Sequence, residues 1–237
     1  MDQEEVKNMT DPASAKWIVF DIDGTLTSSV NVHQEAFYRA LQAYGFTNIN
    51  TDWGSYKHFS DSWIFKENYQ LRYGTDNSPS ELIQFEQAFD EAYRNVIGTN
   101  QAEVVPGARE CLEELERHRV PFCFATGSMR SAAIHKLGAF GKSRYLSVLA
   151  TASEGYTREE IIRYAMKLAA EHNGKSPDSF SRVVSVGDGL WDLRTAQGLR
   201  YEFLGIASGD QAGRLRQEGA VHIIRDFTDP AWKALLL

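Results

Sequence analysis

Cysteine is nearly absent: the 237-residue chain holds two, Cys111 and Cys123. Cys111 falls on a helical apolar face and Cys123 within a strand-like run. Both read as core residues, so neither a disulfide framework nor a thiolate metal site is expected. No stretch is long and apolar enough to span a membrane, and the N-terminus lacks a signal-peptide pattern; a cytoplasmic location with no membrane partner is the expectation. A basic excess is missing as well. Lys and Arg number 25 against 32 Asp and Glu, a net charge of -7, which argues against nucleic acid or an anionic membrane surface as partner. There is no internal repeat and no low-complexity tract. Residues 1–15 are polar and acidic and read as a flexible tail without an assignable role. The balance, 43% hydrophobic and 24% charged, fits a soluble globular protein with one large domain, or a core with a smaller insert.

What is present is organised around Trp17-Ile-Val-Phe-Asp-Ile-Asp-Gly-Thr-Leu-Thr27. Trp17 to Phe20 reads as a buried strand, followed by Asp21, Asp23 and a permissive Gly24. A turn is one explanation. A calcium loop fails on spacing, since Thr25, Leu26 and Val32 stand where Asp or Asn, Gly and Glu are required. Helices are expected over Val32–Tyr44, Ser78–Ile97 with Ser80 as N-cap and Gly98 as stop, and Gly107–Arg117; residues 48–74 read as irregular and aromatic-rich. Strands are expected at Val120–Ala125, Tyr145–Ala150, Val183–Val186, Phe203–Ile206 and Val221–Ile224. Helices near Ser131–Leu137, Thr157–Ala170, Leu190–Gln197 (closed by Gly198) and Gln211–Glu218 alternate with them. That alternation predicts a parallel sheet covered on both faces, with a helical insertion after the first strand.

Three strand ends carry complementary polar groups: Asp21 and Asp23; Thr126-Gly127-Ser128; and Asp188 with Asp192 four residues on. Each alone is most simply a turn or loop. In open α/β sheets ligands bind beyond the carboxyl ends of the strands, so neighbouring strands would gather these groups. Two carboxylates ~4 Å apart repel by roughly 4 kcal/mol at an effective dielectric of ~20. A divalent cation removes that cost, and a sparse oxygen-only donor set suits Mg²⁺. Thr126 and the Gly127 and Ser128 amides could hold phosphate oxygens.

These motifs resemble those of the haloacid dehalogenase superfamily. Asp21-Ile-Asp-Gly-Thr25 is similar to its first motif, Ala125-Thr-Gly127 to its second, and Gly187-Asp188 through Asp192 to its fourth. The resemblance is nearest to phosphoglycolate-phosphatase-like and β-phosphoglucomutase-like members. It implies a Rossmann-like doubly wound parallel sheet core (16–29 and 103–237) with an inserted α-helical cap of the C1 type (30–102). It also implies roles: Asp21 as nucleophile, Asp23 as general acid and base, Thr126 as phosphate ligand, and Mg²⁺ held by the Asp21 carboxylate, the Asp23 carbonyl and Asp188, with Asp192 supporting. The acid at position 23 distinguishes the chain from the true dehalogenases of the superfamily, and Ile22 from its ion pumps, which carry Lys there. The third motif departs from the family's Lys-containing run: Tyr156 overlays the lysine. Arg158 is taken as the replacement, with Lys142 the other candidate.

Lys57 and His58, in Lys57-His-Phe-Ser-Asp61, are expected to reach the substrate's leaving group. His33 either lines the cleft or starts a helix, and most of the aromatics Trp53, Tyr56, Trp63 and Tyr69 are expected to form the cap's own core. The resulting expectation is a Mg²⁺-dependent phosphatase acting on a small phosphorylated metabolite through an aspartyl phosphate, as a monomer or homodimer. The alternatives are a phosphosugar mutase, a phosphonatase using a cap lysine such as Lys57, and a catalytically silent binding module. A receiver-type signalling domain is disfavoured by the insertion after the first strand.

Overall fold

The computed structural model describes residues 16–176 and 180–237; the tail expected over 1–15 lies outside the described residues. Strand β1 (Lys16–Phe20) is central and carries Trp17, Ile18, Val19 and Phe20 buried on both faces, as a strand covered by helices on either side requires. It pairs in parallel with β2 (Phe122–Ala125) on one side and β4 (Arg182–Gly187) on the other. The sheet extends through β3 (Leu149–Ala150), β5 (Glu202–Ile206) and β6 (His222–Ile224), in the order β3-β2-β1-β4-β5-β6. Chain order reverses at β1, which lies between β2 and β4. All three polar strand ends identified in the sequence therefore lie side by side at this switch point.

Between β1 and β2 the chain makes four helices: α1 (Val30–Ala43), α2 (Asp61–Tyr73), α3 (Pro79–Ile97) and α4 (Ala108–Arg117). No strand occurs among residues 30–102, as the pattern predicted. Helices α1 to α3 enclose their own hydrophobic cluster, including Phe37, Leu41, Phe65, Phe85, Phe89 and Tyr93, which also takes in Met129 and Ala132 beside the sheet. The larger cluster lies around β1 and includes both buried free cysteines, Cys111 and Cys123. The remaining helices are α5 (Arg130–Gly138), α6 (Arg158–His172), α7 (Leu190–Leu199), α8 (Gly209–Gln217) and α9 (Trp232–Leu236). No helix among the described residues is long and apolar enough to cross a membrane.

Several local expectations are corrected. Residues 61–73, read as irregular, form α2: Ser60 caps its N-terminus by accepting from the Trp63 amide, and Gly74, at φ 73°, ends it in the left-handed region. The cap of α3 is Ser78 rather than Ser80, in a reciprocal capping box with Glu81. The expected strand from Tyr145 shrinks to Leu149–Ala150, because Ser143–Val148 winds into a 3₁₀ helix. Gly198 lies inside α7, which ends on Arg200 in the left-handed region. Strand β2 starts at Phe122 instead of Val120.

Candidate active site

The loop after β1 makes the first half of the site. Gly24 has φ 76°, and a Cβ there would fall inside the Asp188 carboxylate, so this turn demands glycine twice over. The turn sends Asp21 and Asp23 to one cavity of about 230 Å³, which Thr126, Gly127, Ser128, Arg158, Asp188 and Asp192 also line. Gly127 faces the Phe59 carbonyl, which would lie 2.6 Å from a Cβ there, so the second strand end can approach the insertion only as glycine. Eight of the ten sequence-predicted site residues thus converge.

Lys57 and His58 do not line this cavity. The Lys57 ammonium lies 5.6 Å from the Trp63 ring centroid, and the His58 ring packs edge-on to the same indole, 4.4 Å between centroids. The segment does reach the site, but through Phe59, Ser60 and Asp61. Lys142 is also elsewhere, paired with Glu116 at 2.7 Å. Of the two candidate cations only Arg158 arrives: it donates through Nη2 to Asp21 Oδ1 at 2.8 Å and also to Asp192 Oδ1. It can do so because Thr157 caps α6 in a capping box with Glu160, placing Arg158 on the first turn facing the sheet.

One oxygen from each of Asp21, Asp188 and Asp192 lies within 4.8 Å of the others. Burial pushes the Asp21 carboxyl up to about 7; Arg158 opposes this, and the charges of Asp192 and Asp23 add to it. Burial, with the charges of Asp192 and Asp21, also raises Asp188 well above the usual carboxylate range. The Gln211 amide donates to Asp188 Oδ2 at 3.0 Å, and among the described residues no cation pairs with this carboxylate. A buried oxygen-donor set short of positive charge fits a hard divalent cation.

Asp23 is in the opposite condition. Its Oδ1 accepts from Ser29 Oγ at 2.6 Å and its Oδ2 from Ser128 Oγ at 2.6 Å. Lys136, fully buried, places Nζ 2.6 Å from Oδ1 and 2.8 Å from Oδ2. Burial alone would raise the Asp23 carboxyl, but Lys136 and His33, with hydrogen bonds from Lys136 and Ser128, hold it well below the usual carboxylate range. Lys136 Nζ continues to His33 Nδ1 at 3.1 Å, and His33 Nε2 lies 3.0 Å from Asp61 Oδ1. Asp61 in turn accepts from the Met129 amide at 2.8 Å. Lys136 and Asp61 were not singled out in the sequence. In Ser131–Leu137 a lysine beside His135 looks solvent-facing, and only the packing of α5 against α3 and the site encloses it.

The comparisons with known proteins agree with this architecture. A family model described as haloacid dehalogenase-like hydrolase matches residues 15–199. Protein CbbY of Rhodobacter capsulatus is 24% identical over 123 residues, which cover 49% of this chain and 52% of that protein. The aligned region thus spans about half the length of the curated relative. A hydrolase from Pseudomonas syringae superposes with a TM-score of 0.67 at 23% identity, covering 90% of this chain and 94% of that one. CbbY from Rhodobacter sphaeroides, solved as a point mutant in complex with xylulose-1,5-bisphosphate, superposes with a TM-score of 0.60 at 20% identity, covering 90% and 95%.

Proposed function

Because the chain belongs to the haloacid dehalogenase-like hydrolase family, we propose that it is a magnesium-dependent phosphatase of small phosphorylated metabolites, working through an aspartyl phosphate. One observation carries the reading: Asp21 and Asp23 share a cavity with Asp188, Asp192, Arg158 and Thr126 at the switch point of the sheet. A Mg²⁺ ion would be held by the Asp21 and Asp188 carboxylates and the Asp23 carbonyl, with Asp192 supporting, and would supply charge neutralisation for the phosphoryl group.

In the first step an Asp21 carboxylate oxygen attacks phosphorus. The bond from phosphorus to the ester oxygen breaks, and Asp23, as carboxylic acid, gives that oxygen its proton. In the second step water attacks the phosphorus of the aspartyl phosphate and loses a proton to the Asp23 carboxylate. The bond from phosphorus to Asp21 breaks, releasing inorganic phosphate and restoring both aspartates. Asp23 in this structure, ionised and ringed by donors, is in the state that accepts the water's proton. To act as acid it must take up a proton and leave Lys136. Thr126 and the Gly127 and Ser128 amides would orient the phosphoryl oxygens, and Arg158 would set the angle of Asp21. The helices of residues 30–102 would serve as a cap that excludes bulk water from the first step.

The likeness to a putative β-phosphoglucomutase from Bacteroides vulgatus (TM-score 0.65, 17% identity) favours a second reading, a phosphosugar mutase, in which a bound sugar hydroxyl replaces water in the second step. Both are tested by phosphate release from a panel of phosphate esters with Mg²⁺, with chelator, and with Asp21→Asn. Release abolished by both controls is expected. Isomer interconversion without release would replace hydrolysis by the mutase reading.

A further inference from the structure

The cavity has two chemically different ends. Asp21, Asp23, Thr126, Arg158 and Asp188 make one. The other is built by Val30, Phe37, Trp53, Phe59 and Ile64 of the insertion, joined by Trp191 from α7; Ser60 and Asp61 also line it, but the Ser60 hydroxyl is engaged by the Tyr156 carbonyl and the Asp61 carboxylate by His33 and the Met129 amide. Phe59 and Trp191 stack across the seam between insertion and sheet, centroids 5.6 Å apart and planes 13° from parallel. A ring inserted between two others needs about 7 Å, two van der Waals spacings of ~3.5 Å, so this pair is a wall rather than a slot.

None of the insertion's Lys or Arg residues lines the cavity among the described residues. Lys57 is spent on Trp63, Lys66 pairs with Asp76 at 3.0 Å, and Arg39 pairs with Glu35 at 2.7 Å. His33 does line the cavity, but Asp61 and Lys136 engage its two ring nitrogens. Lys136 itself is committed to Asp23. A second phosphoryl group, carrying about -1.5 to -2 charge at neutral pH, would meet aromatic rings there and, among the described residues, no unpaired cation.

On the reading that Asp21 attacks phosphorus, we propose that this site selects phosphate monoesters whose leaving group is uncharged and largely apolar, with an aromatic ring as the best-fitting form, and discriminates against bisphosphates. The Gln34 amide at the cavity's edge tolerates a hydroxyl on such a group, while the Phe59–Trp191 wall and the Trp53 indole bury its carbon surface.

The test compares benzyl phosphate, glucose 6-phosphate and glucose 1,6-bisphosphate; each offers a primary alkyl ester, and the anomeric ester of the bisphosphate, the better leaving group, works against the expected order. Expected kcat/KM for benzyl phosphate exceeds that for the bisphosphate by about 100-fold or more, in line with what a few well-placed contacts discriminate. Trp191→Ala should lower the benzyl value by about tenfold, mainly through KM. Trp53→Arg, which brings a cation to the apolar end, should narrow the gap to the bisphosphate. Release of phosphate from the bisphosphate at a kcat/KM equal to or above that of benzyl phosphate would overturn the selectivity and leave hydrolysis standing. Release from none of the three would instead overturn the phosphatase reading. Calorimetric binding of the same two extreme ligands to the Mg²⁺-loaded protein would then decide the selectivity by itself: tighter binding of the bisphosphate overturns it, and tighter binding of benzyl phosphate sustains it.

Discussion

Replacing Lys136 by Met removes one cation from the interior and little volume, since both side chains are unbranched. Lys136 is 0% exposed, and its ammonium contacts Asp23, Ser128 and His33 at 2.6 to 3.1 Å. Removing one partner of a buried pair costs about 3–5 kcal/mol, because the remaining charge stays buried without compensation. The Asp23 side chain retains 16% exposure, and water offsets part of that penalty, which favours ~3 kcal/mol. Against a total stability of about 5–15 kcal/mol, such a loss lowers the melting temperature of a chain this size by roughly 6–12 °C. The deficit should depend on pH with a definite sign. In the native protein Asp23 is depressed below its unfolded value, so it contributes stability above about pH 4 that is lost as pH falls through the folded value. In the variant burial acts without the lysine, so the deficit should be full at pH 7 and shrink toward pH 4. The double variant Lys136→Met/Asp23→Asn should recover part of the loss, a non-additivity readable in a double-mutant cycle. Thermal melts of the four proteins from pH 4 to 7 make the measurement. A Lys136→Met protein melting within 2 °C of the parent at pH 7, or a deficit unchanged across that range, would refute a stabilising Lys136–Asp23 pair.

Asp188→Asn should raise the melting temperature of chelator-treated protein at pH 7. Its folded pKa is raised, so ionisation costs stability increasingly as pH climbs above about 4; the gain should vanish near pH 4, and a variant melting below the parent in chelator would contradict this. Mg²⁺ at a hundred times its Kd should stabilise the parent by about 2.7 kcal/mol, or roughly 5–11 °C, and the variant far less. Arg158→Met should cut kcat/KM for phosphate release by ~10²-fold or more, as loss of one oriented donor at a charged centre does, and Arg158→Lys, which keeps a point charge but not the planar guanidinium held between Asp21 and Asp192, should recover only part of it. Steady-state kinetics of the two variants decide between orientation and charge alone.

The strand ends were legible because a buried parallel strand shows as an apolar run and its ligand groups follow immediately in sequence. Asp21, Asp23, Thr126 and Asp188 all belong to that local grammar. Arg158 is legible only through the overlay on the family's third motif and its charge; the capping box of Thr157 and Glu160 that aims it at the sheet is seen in the structure. Helix α2 was missed because its buried positions mix Ser62 and Asn68 with Ile64, Phe65 and Tyr69, which blurs the apolar stripe; its only clean signals were Ser60 and Gly74 at the ends. The short β3 was overdrawn because Tyr145, Leu146 and Val148 supply the same apolar content to a 3₁₀ helix as to a strand. Lys57 and His58 carry the polar character a leaving group would call for, yet Trp63, six and five residues on, engages both. Nothing local marks Lys136 as buried: apart from Ser128, its partners lie 113 and 103 residues away in Asp23 and His33.

The Ser60-Asp61-Ser62 tripeptide makes the main-chain part of the joint between insertion and sheet, beside the side-chain contacts of Phe59 with Trp191 and His33 with Lys136. Its own donors and acceptors find almost only main-chain atoms opposite: the Asp61 amide donates to the Gly127 carbonyl, the Ser60 and Ser62 hydroxyls donate to the Tyr156 and Gly155 carbonyls, and the Asp61 carboxylate accepts from the Met129 amide. This part of the joint, written against peptide groups, does not depend on which side chains stand on the receiving loops, Gly127 apart. The tripeptide therefore leaves the lining of the insertion free to vary: residues such as Trp53 and Ile64 can change the shape of the cavity without touching the bonds that seat Ser60, Asp61 and Ser62 over the carboxylates.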